Sequence, residues 1–221
     1  RDRYGDERLT KLEDAVDFIE DEDLIEEEQC VITMTHFGYI KRIPADTYKV
    51  QHRGGRGVKG MTRREDDVAE TMFISSSHDY VMFLTTKGRA FRLKGYEIPE
   101  GSKNSKGMNI VNLLPLENGE KISAMLSVPS DDEGKYLCMF TKKGLIKRTA
   151  LSLYKNIRKN GLNAISLRED DELAFVKLTS GNDELLVATK KGMCIHINET
   201  NARPLGRTAT GVKAITLREG D

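Results

Sequence analysis

From Cys30 onward, apolar residues come in short runs that end at glycine-containing turns. Val31–Met34, Tyr80–Leu84, Tyr136–Phe140 and Leu185–Ala188 are four such runs. Thr71–Ser75, Ile122–Val128 and Leu173–Leu178 form a second set. Runs this short, rich in β-branched and aromatic residues and bounded by turn residues, predict strands. Met82, Leu84, Phe140 and Phe175 are expected in the core between them. Residues 1–28 differ. Leu12, Val16 and Ile19 are spaced as on a helix, but Asp21-Glu22-Asp23 and Glu26-Glu27-Glu28 oppose a sustained one through like-charge repulsion. This stretch reads as a linker with a short helix or turn, ending near Glu28.

The strand-and-turn pattern repeats. A Thr, two residues, a Gly and an apolar-basic run occur as Thr35-His36-Phe37-Gly38-Tyr39-Ile40-Lys41-Arg42 and Thr85-Thr86-Lys87-Gly88-Arg89-Ala90-Phe91-Arg92. They recur as Thr141-Lys142-Lys143-Gly144-Leu145-Ile146-Lys147-Arg148 and Thr189-Lys190-Lys191-Gly192-Met193-Cys194-Ile195-His196. The centre of each reads as a hairpin turn in which glycine supplies a positive φ. A second signature follows each, headed by Gly57, Gly107, Gly161 and Gly211, and then an acidic turn. Each unit holds about four strands in about 50 residues, the period of a propeller blade. The units are expected at about 29–70, 71–125, 126–178 and 179–221. The fourth stops where a neighbour's first strand would begin, so the chain reads as part of a longer array.

Composition adds an asymmetry. Over the whole chain 35 Lys and Arg balance 35 Asp and Glu, yet residues 1–30 hold 13 acids and 4 bases, a net of −9. The remainder is therefore +9, and an acidic leader on a basic body points to a polyanionic partner. Cys30, Cys138 and Cys194 are odd in number and widely spaced, which opposes a disulfide framework or a paired-cysteine metal site and fits a reducing cytoplasm. No apolar run approaches a membrane span and no signal pattern opens the chain, so no membrane partner is expected.

The first unit carries an addition: Gln51-His52-Arg53-Gly54-Gly55-Arg56-Gly57-Val58-Lys59-Gly60, with four glycines and three Arg/Lys in ten residues. Glycine lets a partner approach the main chain, and arginine can fork two bonds onto a phosphate. The stretch is no nucleotide-binding P-loop, because Met61-Thr62 stand where that motif needs Lys and then Ser or Thr. Gln-x-Arg-Gly-Gly-Arg-Gly in the first of several repeats of about 50 residues resembles the C-terminal domain of the DNA gyrase A subunit. The departure is His52, where that family usually has Arg.

That resemblance implies an all-β, propeller-like β-pinwheel over residues 29–221, with strands exchanged between four-stranded blades. About four blades are expected here, against six in the family. Residues 1–28 resemble the end of the breakage-reunion region and the acidic linker. The implied function is wrapping of double-stranded DNA around a basic perimeter, so that an ATP-dependent type II topoisomerase introduces negative supercoils. The implied partners in the whole enzyme are the B subunit of gyrase and a second A subunit, in the cytoplasm. No catalytic residue and no cofactor is expected in this chain; the ATP and Mg of the whole enzyme are implied elsewhere. The DNA-binding residues are expected to be Gln51, His52, Arg53, Gly54, Gly55, Arg56, Gly57 and Lys59, with the repeated bases Lys41, Arg42, Arg89, Arg92, Lys147, Arg148, Lys190 and Lys191. Such bases suit phosphate contacts without base reading, and no recognition helix is evident. A topoisomerase IV C-terminal domain, a protein-interaction propeller and an RNA-binding Arg-Gly-Gly segment stand as alternatives.

Other chemistry is weaker. Cys194 and His196 share a strand face but have no further metal ligand near in sequence. Ser75-Ser76-Ser77-His78-Asp79 holds nucleophile, base and acid types, yet contiguous residues rarely form a triad, and the segment reads as a turn.

Overall fold

The computed structural model describes residues 21–48, 67–128 and 133–221. In chain order the strands are β1 (Gln29–Thr35), β2 (Tyr39–Pro44), β3 (Ala69–Ser76), β4 (Tyr80–Thr85), β5 (Arg89–Lys94), β6 (Met108–Asn109) and β7 (Ile122–Val128). They continue as β8 (Tyr136–Thr141), β9 (Leu145–Ala150), β10 (Leu162–Asn163), β11 (Leu173–Thr179), β12 (Glu184–Ala188), β13 (Cys194–Asn198) and β14 (Val212–Lys213). The helical segments among the described residues are short 3-10 turns.

The repeated Thr-x-x-Gly closes each hairpin in one way. The amide of Gly144 donates to the Thr141 carbonyl at 3.0 Å, and the amide of Leu145 donates to the Thr141 hydroxyl at 3.3 Å. The same pair of bonds ties Gly38 and Tyr39 to Thr35, Gly88 and Arg89 to Thr85, and Gly192 and Met193 to Thr189. Gly144 has φ +80°, and an added Cβ would stand 2.6 Å from the Ile215 carbonyl oxygen, so both conformation and space require glycine. The acidic turns complete the device. Asp67, Asp171 and Asp221 each accept a turn amide, from Phe37, Lys143 and Lys191 at 3.1, 3.0 and 2.7 Å. Glu120 instead accepts the Thr85 hydroxyl at 2.6 Å.

The hairpins seed four antiparallel sheets, ordered β3-β1-β2-β6, β10-β5-β4-β7, β11-β8-β9-β14 and, with two strands among the described residues, β12-β13. Each four-stranded sheet borrows from the next repeat: β6 pairs with β2, β10 with β5 and β14 with β9. The sheets therefore cut across the contiguous units read from the sequence. β7 touches both β3 and β11. These strands form the shared inner edge of the sheets, and β6, β10 and β14 form the outer one. The all-β, propeller-like expectation with exchanged strands is met.

The second sheet is apolar on both faces. Val81 and Phe83 pack toward the first sheet with Ile32, Ile40 and Ile98. Met82 and Leu84 pack toward the third with Leu137, Met139 and Tyr154. This explains why Tyr80–Leu84 is a continuous apolar run and not an alternating one. One core expectation is corrected: Phe175 is 70% exposed, because the register slips between Leu173 and Phe175 and turns its ring outward.

Candidate nucleic-acid interface

Gln51, His52, Arg53, Gly54, Gly55, Arg56, Gly57 and Lys59 lie outside the described residues. The repeated bases lie inside them, and most do not face solvent. Lys41 is fully buried and its ammonium donates to the carbonyls of Ser102, Lys103 and Ser105 at 3.0, 3.0 and 2.9 Å. Lys147 is equally buried and donates to the carbonyl of Ala164 at 2.6 Å and to that of Arg207. Burial lowers the pKa of both, that of Lys147 to about 8. In the second unit Phe91 takes the corresponding place. Lys41 and Lys147 are thus corrected from phosphate contacts to internal pins.

Their arginine neighbours are also engaged. Arg42 pairs with Glu28 at 2.6 Å and donates to the Ile98 carbonyl at 3.0 Å. Arg148 is buried against Glu199 at 3.6 Å and the Tyr136 ring. Arg89 pairs with Glu120 at 2.9 Å and caps the Asn160 carbonyl. Arg92 lies 3.8 Å over the Tyr80 ring. Lys190 and Lys191 are exposed at the fourth hairpin tip, with the Lys191 ammonium on the Glu219 carbonyl. The matched bases beside the hairpins are largely fasteners between neighbouring repeats.

What they fasten carries the exposed charge. Lys41 holds the loop 101–107 that leads into β6, and Lys147 holds the loop 203–211 that leads into β14. Gly211 lets the second loop lie flat, since an added Cβ would stand 2.6 Å from the Ile146 carbonyl oxygen. These loops and 155–161 run to the outer edge of the sheets. Arg158 and Lys159 are exposed on 155–161, and Arg203 and Arg207 on 203–211. Lys103 and Lys106 rest over the Tyr48 and Tyr39 rings at 5.3 and 4.0 Å. A sequence signal for these cations exists: each loop ends at a second-signature glycine, so each is the counterpart of 51–57. The repeated hairpin bases are the more conspicuous pattern and hide it.

The remaining candidates resolve as structure. His196 pairs with Glu184 at 3.1 Å on the surface, and no group of three metal-binding side chains occurs among the described residues. Cys30 and Cys138 are buried thiols, and burial pushes Cys138 up to about 11. Ser75–Asp79 is the β3–β4 turn, with the Asp79 carboxylate accepting the Ser76 amide at 3.2 Å. Among the described residues no helix is long and apolar enough to cross a membrane.

The family model described as "DNA gyrase C-terminal domain, beta-propeller" matches residues 31–76, 79–129, 135–180 and 183–221. The chain is 55% identical over 211 residues to the DNA gyrase A subunit of Clostridium acetobutylicum, covering 96% of this chain and 25% of that protein. It is 52% identical over 223 residues to the same subunit of Staphylococcus aureus, covering 100% of this chain and 25% of the relative. It thus spans about a quarter of the length of these relatives. Among solved structures, the C-terminal domain of DNA topoisomerase IV superposes with TM-score 0.74 at 28% identity, covering 89% of this chain and 59% of that one. A DNA gyrase A C-terminal domain superposes with TM-score 0.69 at 25% identity, covering 87% and 62%.

Proposed function

The chain belongs to the DNA gyrase C-terminal domain family, and from that premise we propose that it binds duplex DNA and wraps it along the outer edge of its sheets. The observation that carries this reading is the equivalent placement of loops 101–107, 155–161 and 203–211, one per repeat, with Arg158 and Lys159 exposed on the second, Arg203 and Arg207 exposed on the third, and Lys103 and Lys106 half-buried over tyrosine rings on the first. By its place in the repeat, the stretch Gln51–Gly57 with Lys59 is the sequence counterpart of these loops, and it is included among the proposed contacts together with Lys190 and Lys191 of the fourth hairpin tip. Successive loops offer phosphate contacts at regular intervals, which position a duplex without reading its bases. Bending 20–30 base pairs costs about 1–6 kcal/mol, so several such contacts are needed together. In the whole protein the wrapped segment would be handed to the strand-passing core, assembled with the B subunit of gyrase and a second A subunit, in the cytoplasm. The identities of 52–55% to gyrase A favour gyrase over topoisomerase IV, whose domain shares the fold.

The test uses this chain, relaxed plasmid and a type I topoisomerase. Trapped writhe of positive sign, together with affinity for a duplex of roughly 100 base pairs that falls steeply with salt, is the expected result. Salt-independent or absent binding overturns it in favour of a protein-interaction propeller. In the whole enzyme, replacing Gln51–Gly57 with alanines is expected to abolish supercoiling and spare relaxation.

A further inference from the structure

The serine-rich turn 75–79 has an occupant. The acidic segment 22–28 lies against it through both main chain and side chains. The Ser77 amide donates to the Glu28 carbonyl at 2.8 Å, and the Glu28 amide donates back to the Ser77 hydroxyl at 3.0 Å. The Ser76 hydroxyl donates to the Glu27 carboxylate at 2.7 Å. His78 Nε2 lies 3.0 Å from the Ile25 carbonyl, which fixes its proton on that nitrogen. At the far end of the segment the Glu22 carboxylate accepts from the Lys94 ammonium at 2.7 Å, with His78 Nδ1 at 3.9 Å.

Lys94 stands at the mouth of a cavity of about 400 Å³ between the second and third sheets, lined by His78, Tyr80, Arg92, Lys94, Tyr154 and Lys155 among others. Arg92 and Lys94 share the Tyr80 ring, at 3.8 and 4.1 Å from its centroid. Arg92 makes no ion pair among the described residues. The one acid in the lining, Asp79, is turned onto the amide of Ser76. The cavity mouth is therefore a cationic, aromatic-floored site that already holds one carboxylate. Lys155 joins it to the outer loop 155–161.

We infer that this cavity mouth is a phosphodiester-binding site and that segment 22–28 is a displaceable clasp over it, with Glu22 in the place a DNA phosphate takes when duplex binds. The inference rests on the proposed DNA binding. A carboxylate and a phosphodiester compete for the same ammonium, and the contacts to Ser76, Ser77 and His78 set how readily the clasp lifts. The −9 leader is then a built-in competitor that lowers affinity for weakly held DNA.

The experiment measures duplex affinity of the full chain at low salt, with Glu22→Gln and Ser77→Ala as separate variants. It also measures hydrogen exchange of residues 22–28 with and without duplex. Both variants are expected to bind about two- to five-fold more tightly, the scale of one part-exposed ion pair. Exchange over 22–28 is expected to rise when duplex is added. Salt-dependent binding with neither variant tighter, or with exchange unmoved by DNA, overturns the clasp alone. Tightening by Glu22→Gln with Ser77→Ala unchanged marks a general loss of negative charge and overturns it too. Absence of duplex binding in every chain overturns the proposed function and the clasp together.

Discussion

The ammonium of Lys147 is held 2.6 Å from the carbonyl of Ala164, inside the fold and under the loop that carries Arg207. A lysine whose place in the repeat suggests DNA contact instead joins one repeat to the next. Burial lowers its pKa from the ordinary 10.5 to about 8, while the unfolded chain keeps the ordinary value. Between those values the unfolded state binds the extra proton. The contribution of Lys147 to stability therefore rises with pH across that window and is lost as pH falls through about 8. Cys138, raised to about 11 from 9.0, works in the opposite sense above pH 9. The clean interval is pH 8 to 9, where the slope is worth up to about 1 kcal/mol. Urea unfolding of Lys147→Met compared with the parent chain across that interval should show a smaller slope in the variant, with Lys41, whose pKa burial also lowers, supplying any remainder.

Gly144→Ala tests the join from the other side. Its φ of +80° and the Ile215 carbonyl 2.6 Å from a would-be Cβ combine two costs. The left-handed conformation costs about 1–2 kcal/mol and overpacking against backbone about 1–3 more. Gly134→Ala is the control, since φ is +71° there and nothing lies within 4 Å. Denaturant midpoints should fall clearly further for Gly144→Ala.

Glu199 should be the most costly single carboxylate to remove. It is fully buried, accepts from the Gly181 and Asp183 amides at 2.8 Å each and from the Thr179 hydroxyl at 2.7 Å, and faces Arg148. Glu199→Ala leaves the buried Arg148 guanidinium without its counter-charge and the Gly181 and Asp183 amides without their acceptor. A loss of about 3–5 kcal/mol is expected in equilibrium unfolding.

The outer loops carry the prediction for DNA. Replacing Arg158 and Lys159 with Gln should reduce the salt slope of duplex binding by about 0.9 for each phosphate that is no longer neutralised. Lys87→Gln should leave that slope unchanged, because Lys87 is already paired with Glu117 at 3.0 Å. Affinity measured from low to moderate salt separates the two.

Much of the fold is legible in the chain. The Thr-x-x-Gly signature names four hairpins, and their glycines at φ +77° to +80° are where a turn demands them. The acidic turns are visible as a repeat but not as caps, because nothing local says that Asp67 will meet the amide of Phe37 or that Asp171 will meet that of Lys143. Phe175 reads as core because a strand's inward face depends on register, and a bulge changes the register. Lys41 and Arg42 read as exposed because lysine and arginine are rarely buried. They are buried or shielded here because a loop from the next repeat brings carbonyls, and a neighbouring glutamate brings charge, to meet them.

By itself, then, the chain's pattern of short apolar runs, Thr-x-x-Gly turns and paired glycines determined the strands, the hairpins and the repeat. These are local matters of side-chain period and of φ, and they can be read from neighbours in sequence. The tertiary structure decided which strand completes which sheet, and with that which cations are pins and which are offered to solvent. Strand exchange places β6, β10 and β14 on the preceding hairpins, and burial of each cation follows from that long-range pairing. No residue's own neighbours along the chain could have revealed it.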